Sequence, residues 1–401
     1  MLTNIRANRK RVRLLVLSAA MAPLISLNIA HAEKKERLLY SFCSQESCTD
    51  GSTPGSGVIR AADGTLYGTT EGGGQNSVGT IYKITPDGQE TLLYSFDPTT
   101  GEYPADAPAL DGKGNLYGVT VDNMDGYEGG VVYKLAPDGT YTVLHYSHQD
   151  PAGGGMNGVT LDKKGNLYGV SYQGGKHGDG VVWKVTPAGR YKVLYNFAGS
   201  DGAFPTGIPL LDNDGNLFGT TQQGGQYGSG TIYELTPDGT ETVLYSFSGP
   251  VDGGSPLPGL VRDDNGNFYG TTQQGGANKY YGTLFKFAPS GTLTVLHAFA
   301  GPDAGDGDYC NSSPTIVKKR NGENELFGVC SFGGAGDAGI AYKFSASGKY
   351  KVIYNFTDYQ NGPYVPKGLL AGNGGKLYGT SDQGGGTGCA GTGCGTVFEL
   401  Y

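Results

Sequence analysis

Short apolar runs of alternating pattern, separated by Gly, Asp and Asn clusters, recur along this chain in a fixed order. One phrase returns seven times in variants: an aliphatic residue, an aromatic, glycine, two small residues, then a glycine pair. Its aromatics are Tyr67, Tyr117, Tyr168, Phe218, Tyr269, Phe327 and Tyr378, at spacings of 50, 51, 50, 51, 58 and 51 residues. A constant period of this size marks an array of one supersecondary unit.

The fourth copy shows what the unit is. Ile208 to Leu211 is a first apolar run, followed by the turn cluster Asp212 to Gly215. Asn216 to Thr221 is the second run, and the loop Gln222 to Gly228 leads to a third over Thr231 to Leu235. Thr236-Pro237-Asp238-Gly239 is a tight turn, in which proline presets one φ and glycine accepts a positive one. Glu241 to Phe247 is the fourth run. Short segments rich in β-branched and aromatic residues, joined by such turns, are hairpin strands. The unit is therefore a four-stranded antiparallel meander whose two apolar faces both need cover. Radial packing between neighbouring copies supplies it, as in a β-propeller; an open solenoid would need polar capping repeats. Instead, the chain opens with an orphan fourth strand, Leu38 to Phe42, and closes with an orphan third strand, Thr396 to Leu400. The sequence thus predicts an all-β, seven-bladed β-propeller over residues 33–401, with four antiparallel strands per blade. Strand 38–42 completes the C-terminal blade and closes the ring.

The phrase Gly215-Asn216-Leu217-Phe218-Gly219-Thr220-Thr221 and the stretch Gly230 to Phe247 resemble the GloVer-type, or "choice-of-anchor", bacterial tandem-repeat proteins. The resemblance covers essentially all of the chain after the leader. It implies a propeller-like fold and brings no reaction and no catalytic motif. Such proteins carry assorted surface anchors; the stretch up to Tyr401 reads as no sorting tail, so free secretion is expected.

Residues 1–32 read as a secretory signal. Arg6, Arg9, Lys10, Arg11 and Arg13 form a basic region, Leu14 to Ile29 is largely apolar, and Ala30-His31-Ala32 is a small-x-small cleavage site. The alternative, a retained anchor, is disfavoured by Pro23, Ser26 and Asn28, which interrupt a run already short for a bilayer. No membrane insertion is expected after cleavage. Removing those five basic residues leaves 24 − 37 = −13, a clearly acidic protein. That balance excludes nucleic acid as a partner and disfavours anionic membrane surfaces. With 72 Gly and 20 Pro, composition alone would also suit a disordered chain; the periodic strands decide for folding.

Six cysteines in an exported protein suggest three disulfides. Cys43-x4-Cys48 and Cys389-x4-Cys394 share a spacing and both belong to the closing blade. Strand register places Cys43 opposite Cys394, which predicts Cys43–Cys394 with Cys48–Cys389 beside it, stapling the chain ends together. Cys310–Cys330 follows by elimination. Local bridges within each Cys-x4-Cys are the first alternative, and a four-thiolate zinc site is the second.

With strands numbered outward from the axis, the 2–3 and 4–1 loops share one face and are long and variable. Function is carried more often by variable loops on a rigid scaffold than by the scaffold itself. Three constellations stand out there. Residues just before the innermost strands should ring the channel mouth: Ser56, Asp106, Asn157, Gly207, Pro258, Pro314 and Lys367, of which Asp106, Asn157 and Lys367 could converge as polar groups. The bland reading makes them solvated rim residues. The loop face is also aromatic, with Tyr103, Tyr127, Tyr172, Phe204, Tyr227, Tyr280, Tyr281, Tyr309, Phe332, Tyr359 and Tyr364. Rings with a polar tip suit recognition and stacking under sugars, and Gln173, Gln223, Gln274 and Gln383 could bind hydroxyls; otherwise these rings pack on their own loops. Finally, His148 with His177, and the acidic sets Asp122, Asp125, Glu128 and Asp303, Asp306, Asp308, are weak metal signals without a complete ligand pattern. His145 and His297 occupy the slot of Tyr245 and read as structural. Trp183 reads as core.

The expected protein is a secreted or periplasmic monomer without cofactor. It recognises a glycan or an extracellular protein through Asp106, Asn157, Lys367, Tyr172, Tyr227, Gln223 and Gln274. The alternatives are an enzyme acting on a polysaccharide or small molecule at the channel mouth, and a scaffold with no small ligand. Mass spectrometry of the exported protein is expected to find Glu33 as its first residue.

Overall fold

Each turn cluster ends one strand and starts the next, so the chain folds as a run of hairpins. The computed structural model describes residues 34–122, 130–147, 154–257, 259–276, 280–357, 362–386 and 388–401. The signal sequence, Asp125, Tyr127, Glu128, His148, Pro258 and Tyr359 lie outside these residues. Seven antiparallel sheets of four strand positions form the blades of a β-propeller. In blade four these are Ala203–Leu211, Leu217–Gln223, Thr231–Leu235 and Glu241–Ser246. Blade seven is composite: its order is Pro363–Ala371, Leu377–Gly384, Thr396–Leu400 and then Glu36–Ser41 from the other end of the chain. The last two run antiparallel, from Glu36 opposite Leu400 to Ser41 opposite Thr396. The ring closes as the broken repeats predict.

The same device packs every blade. The central aromatic of the third strand is buried and lies over the glycine of the seven-fold phrase on the adjoining second strand. A Cβ on Gly270 would come within 2.7 Å of the Phe285 ring, and one on Gly379 within 2.5 Å of Phe398. The phenylalanine that ends the previous blade's fourth strand meets the same ring edge-on. Phe42 lies 4.8 Å from Tyr82, Phe197 5.1 Å from Tyr233, and Phe356 5.2 Å from Phe398, centroid to centroid. Between blades two and three, Ser147 stands where the phenylalanine should be, and the larger Trp183 occupies the facing slot, fully buried. In all seven blades the third and fourth strands are out of step by one residue, at Leu39, Leu93, Leu144, Leu194, Leu244, Leu296 and Ile353. Such a bulge sharpens the twist of the outer edge.

On the long-loop face the blades are stitched through the backbone. Thr53, Tyr103, Phe204, Ser255 and Val365 each precede a proline, and each has a left-handed φ of 50–57°. Their amides donate across the blade boundary to the carbonyls of Cys394, Val78, Asp179, Ser229 and Ala338, at 2.7–3.2 Å. The proline that follows packs on a glycine of the preceding blade, as Pro256 does on Gly230.

The cysteine pairing differs from the expected staple. Cys43 pairs with Cys48 and Cys389 with Cys394, so neither Cys43–Cys394 nor Cys48–Cys389 forms; Cys310 pairs with Cys330. Register does bring the chain ends together there, since Phe42 donates to the Gly395 carbonyl at 3.0 Å and Cys43 follows it. The loops decide the pairing instead. Left-handed residues at Cys43, Ser47 and Cys48, and at Cys389 and Ala390, curl each Cys-x4-Cys back on itself, to Cα separations of 4.0 and 5.2 Å.

The inter-blade stitch makes a quantitative prediction. Gly230 has φ +100°, and a Cβ there would sit 2.6 Å from Pro256 Cδ. Gly230→Ala is expected to lose about 2–3 kcal/mol in urea unfolding, whereas Gly112→Ala, whose Cβ would meet nothing within 4 Å, stays within about 0.5 kcal/mol.

Candidate functional site

The first strands converge on the axis and enclose a cavity of about 420 Å³ at the channel. Every blade contributes to its lining: Ser56, Asp106, Thr160, Ile208, Leu260, Ser312 and Lys367. Asp106 and Lys367 therefore meet in one space, as their position before the innermost strands predicts. Asn157 does not join them; its Nδ2 donates to the Gly155 carbonyl of its own loop at 3.4 Å.

Around this cavity the charges are uneven. Lys367 Nζ pairs with Asp382 Oδ2 at 3.2 Å. Glu71 lies nearby, its carboxylate against the backbone of Gly55, where a Cβ would collide with it. Burial pushes the Glu71 carboxyl up, Asp382 pushes it further, Lys367 opposes, and Asp106 adds a smaller repulsion. Asp106 accepts from the Gly158 amide at 2.9 Å. Burial pushes its carboxyl up from 3.8 to about 6, against the lowering effect of that hydrogen bond.

A second hollow, of about 360 Å³, opens beside the first between blades six and seven. Tyr309, Phe332 and Tyr364 line it together with Asn311, Ser331, Lys367, Asp382 and Gln383. Lys367 and Asn311 belong to both hollows, so the cleft runs into the channel mouth. Tyr309 and Phe332 are each 37 % exposed, with ring centroids 6.2 Å apart and planes inclined at 55°. Tyr309 is held at φ 53°, and Ser331 Oγ donates to Asn311 Oδ1 at 3.0 Å. Burial, with repulsion from Asp337, raises the Asp308 carboxyl next to this loop. The cleft thus offers two tilted apolar faces, an ammonium–carboxylate pair and two amides within one concave surface. That combination can stack on a ring and hydrogen-bond its substituents.

The other residues singled out from the sequence lie apart. Tyr172 stacks on Phe204 at 5.0 Å and donates to Gln222 Oε1 at 2.5 Å, so its ring packs on a neighbouring loop. Tyr227 is 57 % exposed and lines a separate shallow hollow with Tyr245, Ser248 and Asp252. Gln223 and Gln274 end their second strands exposed to solvent. The residues that sequence reading missed are Glu71, whose carboxyl feels Asp382, Lys367 and Asp106, and Asp382, which pairs with Lys367; both directly follow the seven-fold phrase. Side chains alternate along a strand: Gln222 and Gln273 are half-buried and Gln223 and Gln274 exposed, and none of the four lines either hollow. The signal was available: this position varies between copies (Glu71, Val121, Tyr172, Gln222, Gln273, Ser331, Asp382) while the phrase before it does not. His145 and His297 stack on Tyr191 and Tyr350 of the next blade, and His297 Nε2 lies 2.8 Å from Asp306 Oδ2, which fits a structural role.

Comparison with known proteins gives a family and a fold. The model of the Gloeobacter/Verrucomicrobia repeat matches residues 28–207 and 106–319, together more than half of the chain. No curated protein matches. Among solved structures, the extracellular domain of BT4673 from B. thetaiotaomicron, described as a putative one-component or hybrid two-component system, superposes in two structures with TM-scores of 0.54 and 0.52 and 10 % and 12 % identity. In both, 92 % of this chain is covered, and it spans only 39 % of the neighbour's length. PorZ, a surface component of the type-IX secretion system of Porphyromonas gingivalis, has a TM-score of 0.49 and 15 % identity over 85 % of this chain and 46 % of its own. At these identities the likeness is one of fold.

The raised Asp106 carboxyl has a signed consequence. The folded protein holds this proton more tightly than the unfolded chain, so stability falls as pH rises from roughly 4 to roughly 6. Asp106→Asn removes that titration. Thermal melts across pH are expected to show a flatter curve for the variant in this window, with the variant gaining on the wild type above it.

Proposed function

The chain belongs to the Gloeobacter/Verrucomicrobia repeat family, and from that premise we propose that it is an exported binding module that recognises a glycan on its long-loop face. The observation that carries this reading is the cleft between blades six and seven. Exposed rings at Tyr309 and Phe332 flank the Lys367–Asp382 pair, Asn311 and Gln383. Aromatic faces take the C–H side of a sugar ring, and fixed polar groups take its hydroxyls. The signal-like leader and the three disulfides support a secreted or periplasmic setting. So does the fold's use in the extracellular domain of BT4673. An extracellular protein presenting an aromatic-compatible loop is the other ligand that suits this surface. The protein acts as a monomer in this reading.

A second reading has one specific observation behind it. Asp106, held near 6, and Lys367 line the same channel cavity, and a perturbed acid in a cleft is a pattern of catalytic sites. In that case a small molecule would be processed at the mouth. A scaffold without a ligand gives no reason for the aromatic cleft.

Glycan-array screening followed by calorimetry tests the first reading. Tyr309→Ala and Phe332→Ala are each expected to weaken binding by about 1–2 kcal/mol, roughly tenfold, while Tyr227→Ala, outside the cleft, leaves it unchanged. Equal effects at all three positions, or binding untouched by the first two, sinks the assignment. Turnover of a bound saccharide that is abolished in Asp106→Asn would favour the second reading.

A further inference from the structure

Four cysteines gather at the closing seam, and the binding face has no use for them. The Sγ atoms of Cys43, Cys389 and Cys394 all lie within 4.8 Å of one another, and Cys48 is bonded to Cys43. They arrive from opposite ends of the chain: Cys43 leaves the strand Glu36–Ser41, and Cys394 precedes its partner strand Thr396–Leu400. Gly388 faces both sulfurs; a Cβ there would lie 2.8 Å from Cys394 Sγ and 3.9 Å from Cys43 Sγ. The third bridge, Cys310–Cys330, is buried in blade six and takes no part in the cluster.

We propose that these four thiols, when reduced, form a site for one zinc ion, and that the two local disulfides are its oxidised, metal-free state. Tetrahedral zinc holds thiolates at about 2.3 Å, which places their sulfurs roughly 3.8 Å apart. On reduction the sulfurs of each bonded pair move apart to that spacing, while the gaps between the two pairs, within 4.8 Å among Cys43, Cys389 and Cys394, close by about an ångström at most. The glycines at 388, 391, 393 and 395 give the C-terminal loop the freedom for this movement. Two equivalents of a dithiol reduce the pair of disulfides. Four electrons and four protons pass to the four sulfurs, and each dithiol leaves as its own disulfide. Zinc then displaces the four protons and takes the thiolates as ligands.

The two states differ in what they join. Each local disulfide closes a loop between cysteines five positions apart and leaves the chain ends held by non-covalent contacts. The metal would tie residues 43 and 48 to residues 389 and 394, a constraint on nearly the full length of the chain. Cross-links over long loops restrict the unfolded chain most. The inference is independent of what the loop face binds.

The test uses the exported protein, reduced anaerobically with a phosphine and titrated with Zn²⁺ against a chromophoric chelator. Expected are one ion per chain, a higher Tm for the reduced protein with zinc than without, and protection of Cys43, Cys48, Cys389 and Cys394 from alkylation in the zinc-bound form. The Cys310 and Cys330 signals should not respond to zinc. Cobalt in place of zinc should give a thiolate-to-metal charge-transfer band. Cys389→Ser and Cys43→Ser, each checked for folding by circular dichroism, should cost at least the roughly 10–100-fold that loss of an outer-shell partner costs a metal site. Failure of the reduced protein to bind zinc overturns the proposal, whether it stays folded or not. So do a cobalt complex without the charge-transfer band and folded serine variants that bind as the wild type does.

Discussion

A ring seated between a glycine of its own blade and a phenylalanine of the blade before it is the contact on which this molecule depends. In six of the seven blades the third-strand aromatic is reached from both sides: Tyr342 covers Gly328 and meets Phe299, and Phe398 covers Gly379 and meets Phe356. Because the contact couples neighbours, no blade can bury its faces alone. Adding a methyl at one of the glycines would displace a ring and, with it, the next blade's wall. The boundary between blades two and three shows how strict the volume is. Where Phe is replaced by Ser147, the opposite member of the pair grows to Trp183, and both stay buried. Close packing leaves few other ways to balance such a loss.

The architecture was legible because it is written as repetition. The phrase around Phe218 and the turn around Asp238 fix a meander, and the two orphan strands at Leu38 and Thr396 fix its closure. What could not be read is where strand parity and loop conformation take over. Gln223 and Gln274 are exposed and outside both hollows; a run of consecutive polar residues does not announce which of them the neighbouring blades bury. The shared cavity of Asp106 and Lys367 follows from their fixed offset from the inner strands. Glu71 and Asp382, from the second strands of neighbouring blades, joined them only in three dimensions. The cysteines show the same limit: register placed Cys43 beside Cys394, while the left-handed turns that decide their bonding belong to the loops.

The long-loop face also concentrates backbone strain. Five residues before prolines take a left-handed φ, among them Tyr103 and Phe204, although proline's predecessor is normally extended. A non-glycine residue in that region costs on the order of 1–3 kcal/mol unless its surroundings compel it. Here the compulsion is the amide bond to the preceding blade. The strain therefore fixes the direction of the side chain that carries it. Tyr309 shares this conformation, at φ 53°. A ring held by its backbone in this way reaches a ligand without first giving up the freedom of a mobile loop.

The pairing of Glu36 with Leu400 carries one more consequence, in the order of events. Strand 36–41 is made, and crosses the membrane if the leader is read as such, long before residues 396–400 exist. Until then the inner edge, which pairs with residues 396–400, has no partner, and unpaired edges invite association with other chains. The six complete blades can stack as they emerge, but the seventh must wait for residues 396–400. Closure of the ring is thereby tied to synthesis of residues 396–400: a polypeptide lacking them would present six ordered blades and one open edge.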